Sequence, residues 1–142
     1  MKKLIIFLSL IMSIYANDES LKVVYDLTTS DLKTFEKKLI KGIVANKTYY
    51  QRDFKELEVA VIIHGGAYKF FMKHSAVEDE IKKRVSSLAE TYDVKFYICK
   101  VGLEKRKIKE KDLLPFVKIV QNASIGLIDK QNAGFAYLPV SD

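Results

Sequence analysis

The chain has 142 residues, one cysteine and a formal charge of +6. That length is the size of a single domain, and 49% hydrophobic residues can build a core without the disulfide that a lone cysteine cannot form internally. Lysines are interleaved with acidic residues, with a local concentration at Lys105-Arg106-Lys107, and no basic stripe or recognition motif accompanies them, so no nucleic-acid partner is expected.

Residues 1–16 read as a secretory signal. Lys2 and Lys3 form a positive start, Leu4 to Tyr15 is an apolar stretch, and Ala16 is a small residue suited to the position before cleavage. The stretch is shorter than the roughly 20 residues needed to span a bilayer. The expectation is therefore a removed leader, a periplasmic single domain over 17–142, and no membrane attachment after cleavage.

Leu21 to Leu27 is the first strand candidate. Ser30 or Asp31 can cap a helix over 31–46, with Leu32, Phe35, Leu39, Ile40 and Ile43 at helical spacing and Asn46 at its end. Leu57 to His64 is the strongest strand, an almost continuous apolar run that suits a central parallel position. Gly65-Gly66 breaks it, and Ala67 to Met72 forms a short helix. Ser75 is a candidate cap for a helix over 76–91, built on Val77, Ile81, Val85 and Leu88. Val94 to Cys99 is a third strand, followed by basic helical turns. Phe116 to Val120 is a fourth. Ala123 to Asn132 is a helix closed by Gly134, whose freedom at positive φ suits a helix end. Phe135 to Pro139 is a fifth strand, and Pro139 places it at a sheet edge. Strands alternating with helices predict an α/β domain with a mostly parallel sheet covered on both faces.

Cys99 stands out at the carboxyl end of its strand, where open α/β sheets form their ligand crevice. Lys100 and Lys105 follow it and would favour the thiolate. The plainer alternative is a packed thiol, because cysteine is among the most buried residue types. His64, Gly65 and Gly66 end the central strand. The glycines would let a ligand approach the backbone, or would simply turn the chain. His64 could pair with Cys99, since both end strands on one edge of the sheet. No zinc-type spacing, phosphate loop or serine-hydrolase elbow is present, so neither a metal nor a cofactor is expected.

Three segments carry a family resemblance. They are Val59-Ala60-Val61-Ile62-Ile63-His64-Gly65-Gly66-Ala67-Tyr68-Lys69-Phe70-Phe71, then Val94 to Ile108 around Cys99, and then Asp112-Leu113-Leu114-Pro115 with the closing Gly134-Phe135-Ala136-Tyr137. In order and spacing they resemble the DsrE/DsrF-like (YchN-like) family. The resemblance implies a three-layer α/β/α fold with a mostly parallel five-stranded sheet, assembled as a homotrimer or homohexamer. In some members of that family a cysteine at the position matched by Cys99 carries sulfane sulfur as a persulfide; other members have no known activity. The leader-like start sets this chain apart from the cytoplasmic sulfur relays.

Two functions of different class follow. In one, the protein is an exported sulfur carrier that meets a thiol- or persulfide-bearing partner protein. In the other, it is a non-catalytic oligomeric binding module in which Cys99 only packs.

Overall fold

The computed structural model describes residues 20–142, so the expected leader lies outside the described residues. Five strands form one sheet in the order β4-β3-β2-β1-β5, and every neighbouring pair is parallel. They are β1 (Leu21–Leu27), β2 (Leu57–Ile63), β3 (Lys95–Cys99), β4 (Val117–Val120) and β5 (Ala136–Val140). β2 is central, as its apolar run requires: six of its seven residues are buried. β5 is an edge strand and tolerates Pro139 there.

The first helix differs most from expectation. It starts as α1 (Leu32–Thr34), capped by the Asp31 carboxylate, which accepts from the Thr34 N–H at 2.7 Å. It then widens into a π-helical segment, Phe35–Ile40, and continues as α2 (Lys41–Gln51). Residues five apart stack in a π-turn, so Phe35 and Ile40 both reach the core alongside Leu39. Asn46 does not end this helix. Its side-chain amide donates to the Tyr25 hydroxyl at 2.8 Å, tying α2 to β1, and the helix runs on to Gln51.

A 3-10 turn, Ala67–Phe71, follows β2. Helix α3 (Asp79–Glu90) then turns Ile81, Val85 and Leu88 inward. Ser75 is not its cap: the cap position is Glu78, and the Ser75 hydroxyl is buried without a hydrogen-bond partner. Asp79 and Glu80 supply the negative charge that favours a helix start. The Arg84 guanidinium pairs with Glu36, joining α3 to the π-segment. Short helix α4 (Lys100–Lys105) leaves β3 directly, a 3-10 turn spans Glu110–Asp112, and α5 (Ala123–Asn132) lies between β4 and β5. Asn122 caps α5 by accepting from the Ile125 N–H at 2.8 Å. Gly134 ends it with φ of 89°, as a helix terminus in the left-handed region favours glycine.

The sheet thus divides two layers. Phe35, Phe70, Phe71 and Phe96 stack and tilt against one another on the side of α2 and α3. On the opposite side α5 packs close to the sheet: a Cβ on Gly126 would stand 3.2 Å from Ile62 Cδ1. No helix among the described residues is long and apolar enough to cross a membrane.

Candidate functional site

The carboxyl ends of β1, β2 and β3 gather His64, Gly65, Gly66 and Cys99, as their strand-end positions predict. Ladder hydrogen bonding continues past the end of β2, because the His64 N–H donates to Leu27 O at 3.0 Å. Gly65 then turns the chain with φ of 62°. Gly66 passes so close to the β1–α1 loop that a Cβ there would lie 2.6 Å from Ser30 Cβ. Chain geometry thus gives each glycine a structural role in this turn.

Cys99 closes β3 in register with Val120 of β4 and is also the residue from which α4 starts. It is 7% exposed. Its cover comes from the turn after β2. The Tyr68 hydroxyl donates to Cys99 O at 3.0 Å. Burial, followed by the neighbouring Cys99, pushes the Tyr68 phenol far above its ordinary value, and Arg106 offsets this only partly. The Arg106 guanidinium lies 4.3 Å from the centre of the Tyr68 ring. It also donates to Gly65 O at 2.5 Å and to Gly102 O at 3.3 Å. An aromatic ring and a guanidinium thus bridge the β2 turn to α4 above the thiol.

The two lysines singled out from the sequence lie further out. Lys100 pairs with Glu104 at 3.9 Å, with both side chains about half exposed or more. Lys105 is exposed. Arg106, hidden in a run of similar charges, is the cation folded over the site. Only its reach of 41 residues back to Gly65 distinguishes it, and no local pattern displays that.

A second cluster stands beside this one. His64 Nε2 lies 2.5 Å from Asp26 Oδ1. The Tyr137 hydroxyl donates to Asp26 Oδ2 at 2.6 Å. That bond, more than burial, holds the Tyr137 phenol above its ordinary value. Register brings these groups together: Asp26 pairs with Ile62 and Ile62 with Tyr97. Side chains alternate along a strand, so His64 and Cys99, two residues beyond Ile62 and Tyr97, share their face. This is the α5 face, where the Lys130 ammonium sits 4.7 Å from the Tyr97 ring centre. Asp26 and Tyr137 gave no signal in the sequence, because their partners are 38 and 111 residues away. His74 is exposed in the loop before α3. Among the described residues no three His, Cys, Asp or Glu side chains are grouped to hold a metal ion. A cleft of about 620 Å³ lined by Lys47, Phe54, Leu57, Tyr92 and Asp93 opens at the amino ends of β2 and β3, the end of the strands opposite Cys99.

The family model for DsrE/DsrF-like proteins matches residues 22–140. The chain belongs to the DsrE/DsrF-like family. Two solved structures share the fold of this family member. Protein MTH1491 of Methanobacterium thermoautotrophicum, of unknown function, superimposes with a TM-score of 0.66 at 22% identity, over 84% of this chain and 98% of the other. The YchN protein of E. coli gives 0.56 at 13% identity, over 86% of this chain and 99% of the other. An uncharacterized protein of Aquifex aeolicus (strain VF5) is 30% identical over 98% of this chain; the chain spans 64% of that relative's length. The five-stranded α/β architecture expected of a DsrE/DsrF-like protein is therefore the one observed.

Proposed function

We propose that this DsrE/DsrF-like protein is a sulfur carrier whose Cys99 accepts a sulfane sulfur as a persulfide and passes it to a second thiol. The observation that carries this reading is the position of the single cysteine, at the carboxyl end of β3 in a fold of this family. Supporting it, the Tyr68 hydroxyl donates to the Cys99 carbonyl and the Arg106 guanidinium lies 4.3 Å from the centre of the Tyr68 ring, so an aromatic ring and a cation are built beside this residue.

One observation favours the second reading, a non-catalytic oligomeric module. Cys99 is only 7% exposed in the single chain, which also suits a thiol that packs. The two readings part on one experiment. The protein is incubated with inorganic polysulfide, and its mass is measured with and without reductant. The carrier gains reducible increments of one sulfur atom, and Cys99→Ser gains none. No increment on the folded native protein leaves the packing module.

The leader-like residues 1–16 support a periplasmic carrier, with a thiol- or persulfide-bearing protein as its partner. N-terminal sequencing of material from a periplasmic extract tests this, the expected first residue being Asn17. A homotrimer or homohexamer is the assembly proposed, to be read by light scattering.

A further inference from the structure

We propose that His64, oriented by Asp26, is the proton carrier of the Cys99 site. This rests on the sulfur-carrier reading and adds to it a group that handles the proton.

The ring is held as a base must be held. With Asp26 ionised, Nε2–H donates to Oδ1 across 2.5 Å, and Nδ1 carries the lone pair. A carboxylate that fixes the tautomer and stabilises the imidazolium is what makes a histidine an effective base toward a thiol or hydroxyl. Asp26 is itself fixed, because Tyr137 donates to its other oxygen at 2.6 Å. The Asp26 side chain is 14% exposed and that of His64 29%, so the acid is sheltered while the ring meets solvent. Ile63 and Ile98 are the last pair of the β2–β3 ladder, and His64 and Cys99 are the next residue on each segment. Neighbouring strands lie about 4.8 Å apart. Asp26 on β1 and Cys99 on β3 therefore flank the strand that carries the histidine.

The charged and titratable groups around His64 are few. β1 contributes Asp26, β5 Tyr137, β3 Cys99 and the turn after β2 Tyr68; the residue after α4 is Arg106, which holds the carbonyl of Gly65, next to His64. α5 contributes Lys130, engaged with Tyr97. Tyr137 is a donor in this arrangement and Arg106 is a cation, which leaves the second ring nitrogen of His64 as the acceptor available to the thiol proton.

The step balances. The Cys99 thiol gives its proton to Nδ1, and the thiolate attacks the outer sulfur of a donor persulfide. A sulfur–sulfur bond forms to Cys99, the donor's own sulfur–sulfur bond breaks, and its electron pair stays on the donor's inner sulfur. That thiolate takes the proton from the imidazolium. Sulfur moves at the zero oxidation level, so no oxidant or reductant is consumed.

The test is the rate of Cys99 alkylation by iodoacetamide between about pH 5 and 10, on the full chain, for the wild type, His64→Gln and Asp26→Asn. The wild type is expected to label fastest of the three near pH 7, with a pH profile that depends on His64. His64→Gln slows labelling there about tenfold, and Asp26→Asn slows it less. Imidazole ¹⁵N shifts of the wild type are expected to show the Nε2–H tautomer, a readout that needs no variant to fold. Superimposable alkylation profiles, or an Nδ1–H tautomer, overturn the proposal. Sulfur uptake from polysulfide separates the two claims. Uptake with profiles insensitive to His64 leaves the carrier and removes the proton carrier. A His64-dependent profile without uptake does the reverse.

Discussion

The Tyr68 hydroxyl fills the space beside the Gly102 backbone: a Cβ on residue 102 would stand 1.7 Å from it and 2.4 Å from the ring carbon that bears it. Gly102 is buried within α4, and its own carbonyl accepts from Arg106. The absence of a side chain at this position is what lets the ring lie against α4 and cover Cys99. Gly102→Ala must therefore displace either the ring or the helix. The expected loss of stability is about 1–3 kcal/mol, the usual range for overpacking. Cys99 is expected to react faster with iodoacetamide in this variant, at unchanged pH. Thermal melting and alkylation rate together check both halves.

The aromatic cluster on the α2 and α3 side sets a second expectation. Phe71 is fully buried, edge-on to Phe35 at 6.0 Å and tilted against Phe96 at 5.3 Å. Phe71→Ala should cost about 3–5 kcal/mol in urea unfolding, combining lost transfer energy with a residual cavity. Phe54 is fully exposed and adopts φ of 55°, so its ring contributes little. Phe54→Ala should stay within about 0.5 kcal/mol of the wild type.

Acid stability should depend on Asp31. Hydrogen bonds from Thr34 hold its carboxyl below the ordinary value of 3.8. A carboxyl whose folded value is depressed stabilises the fold above its unfolded value and loses that contribution as pH falls through its folded value. Asparagine caps as well as aspartate but does not titrate in this range. Asp31→Asn should therefore be less stable than the wild type at neutral pH, with the gap closing below the ordinary carboxylate value. Urea midpoints measured from about pH 3 to 7 show whether the two curves converge.

At high pH the tyrosines should ionise in a definite order. Tyr25, Tyr68 and Tyr137 are all held above the ordinary value of 10.0, Tyr25 and Tyr68 chiefly by burial and Tyr137 chiefly by its bond to Asp26. Tyr68 is expected to be last, and Tyr68→Phe to remove the final step from an ultraviolet titration. The sign is opposite to that of Asp31: a raised phenol favours the fold below its unfolded value, and this is lost as pH rises through the folded one.

Much of this fold was legible in the sequence. Leu21 to Leu27 and Ala123 to Asn132 fall on their observed bounds, because a short segment rich in Leu, Val and Tyr and a helix closed by Gly134 are local signals. The first helix outran its expected end because Asn46 spends its side chain on Tyr25, a tertiary contact, rather than on a terminus. Ser75 failed as a cap for the converse reason: the backbone before Asp79 is extended, and α3 begins three residues later than a serine at that position would place it. At the site, Cys99 and His64 could be found because each ends a strand. Asp26 and Tyr137 could not, since their meeting depends on which strands are neighbours and on the register between them. Tyr68 and Arg106 depend on one glycine, and a glycine inside a basic stretch gives no hint of the ring that lies against it.

The pairing of β1 with β5 also has a kinetic consequence. Val23 and Ala136 are register partners, yet nearly the whole described chain separates them. During synthesis β1 leaves the ribosome first, and one of its two edges stays open until residue 140 has been made. Thr28 and Thr29 also wait for Val140, whose carbonyl accepts both of their N–H groups. Contacts between such distant segments carry a large loop-closure cost and slow folding. The sheet therefore closes late, and until then β1 offers an unpaired edge that an incomplete chain must keep from other strands.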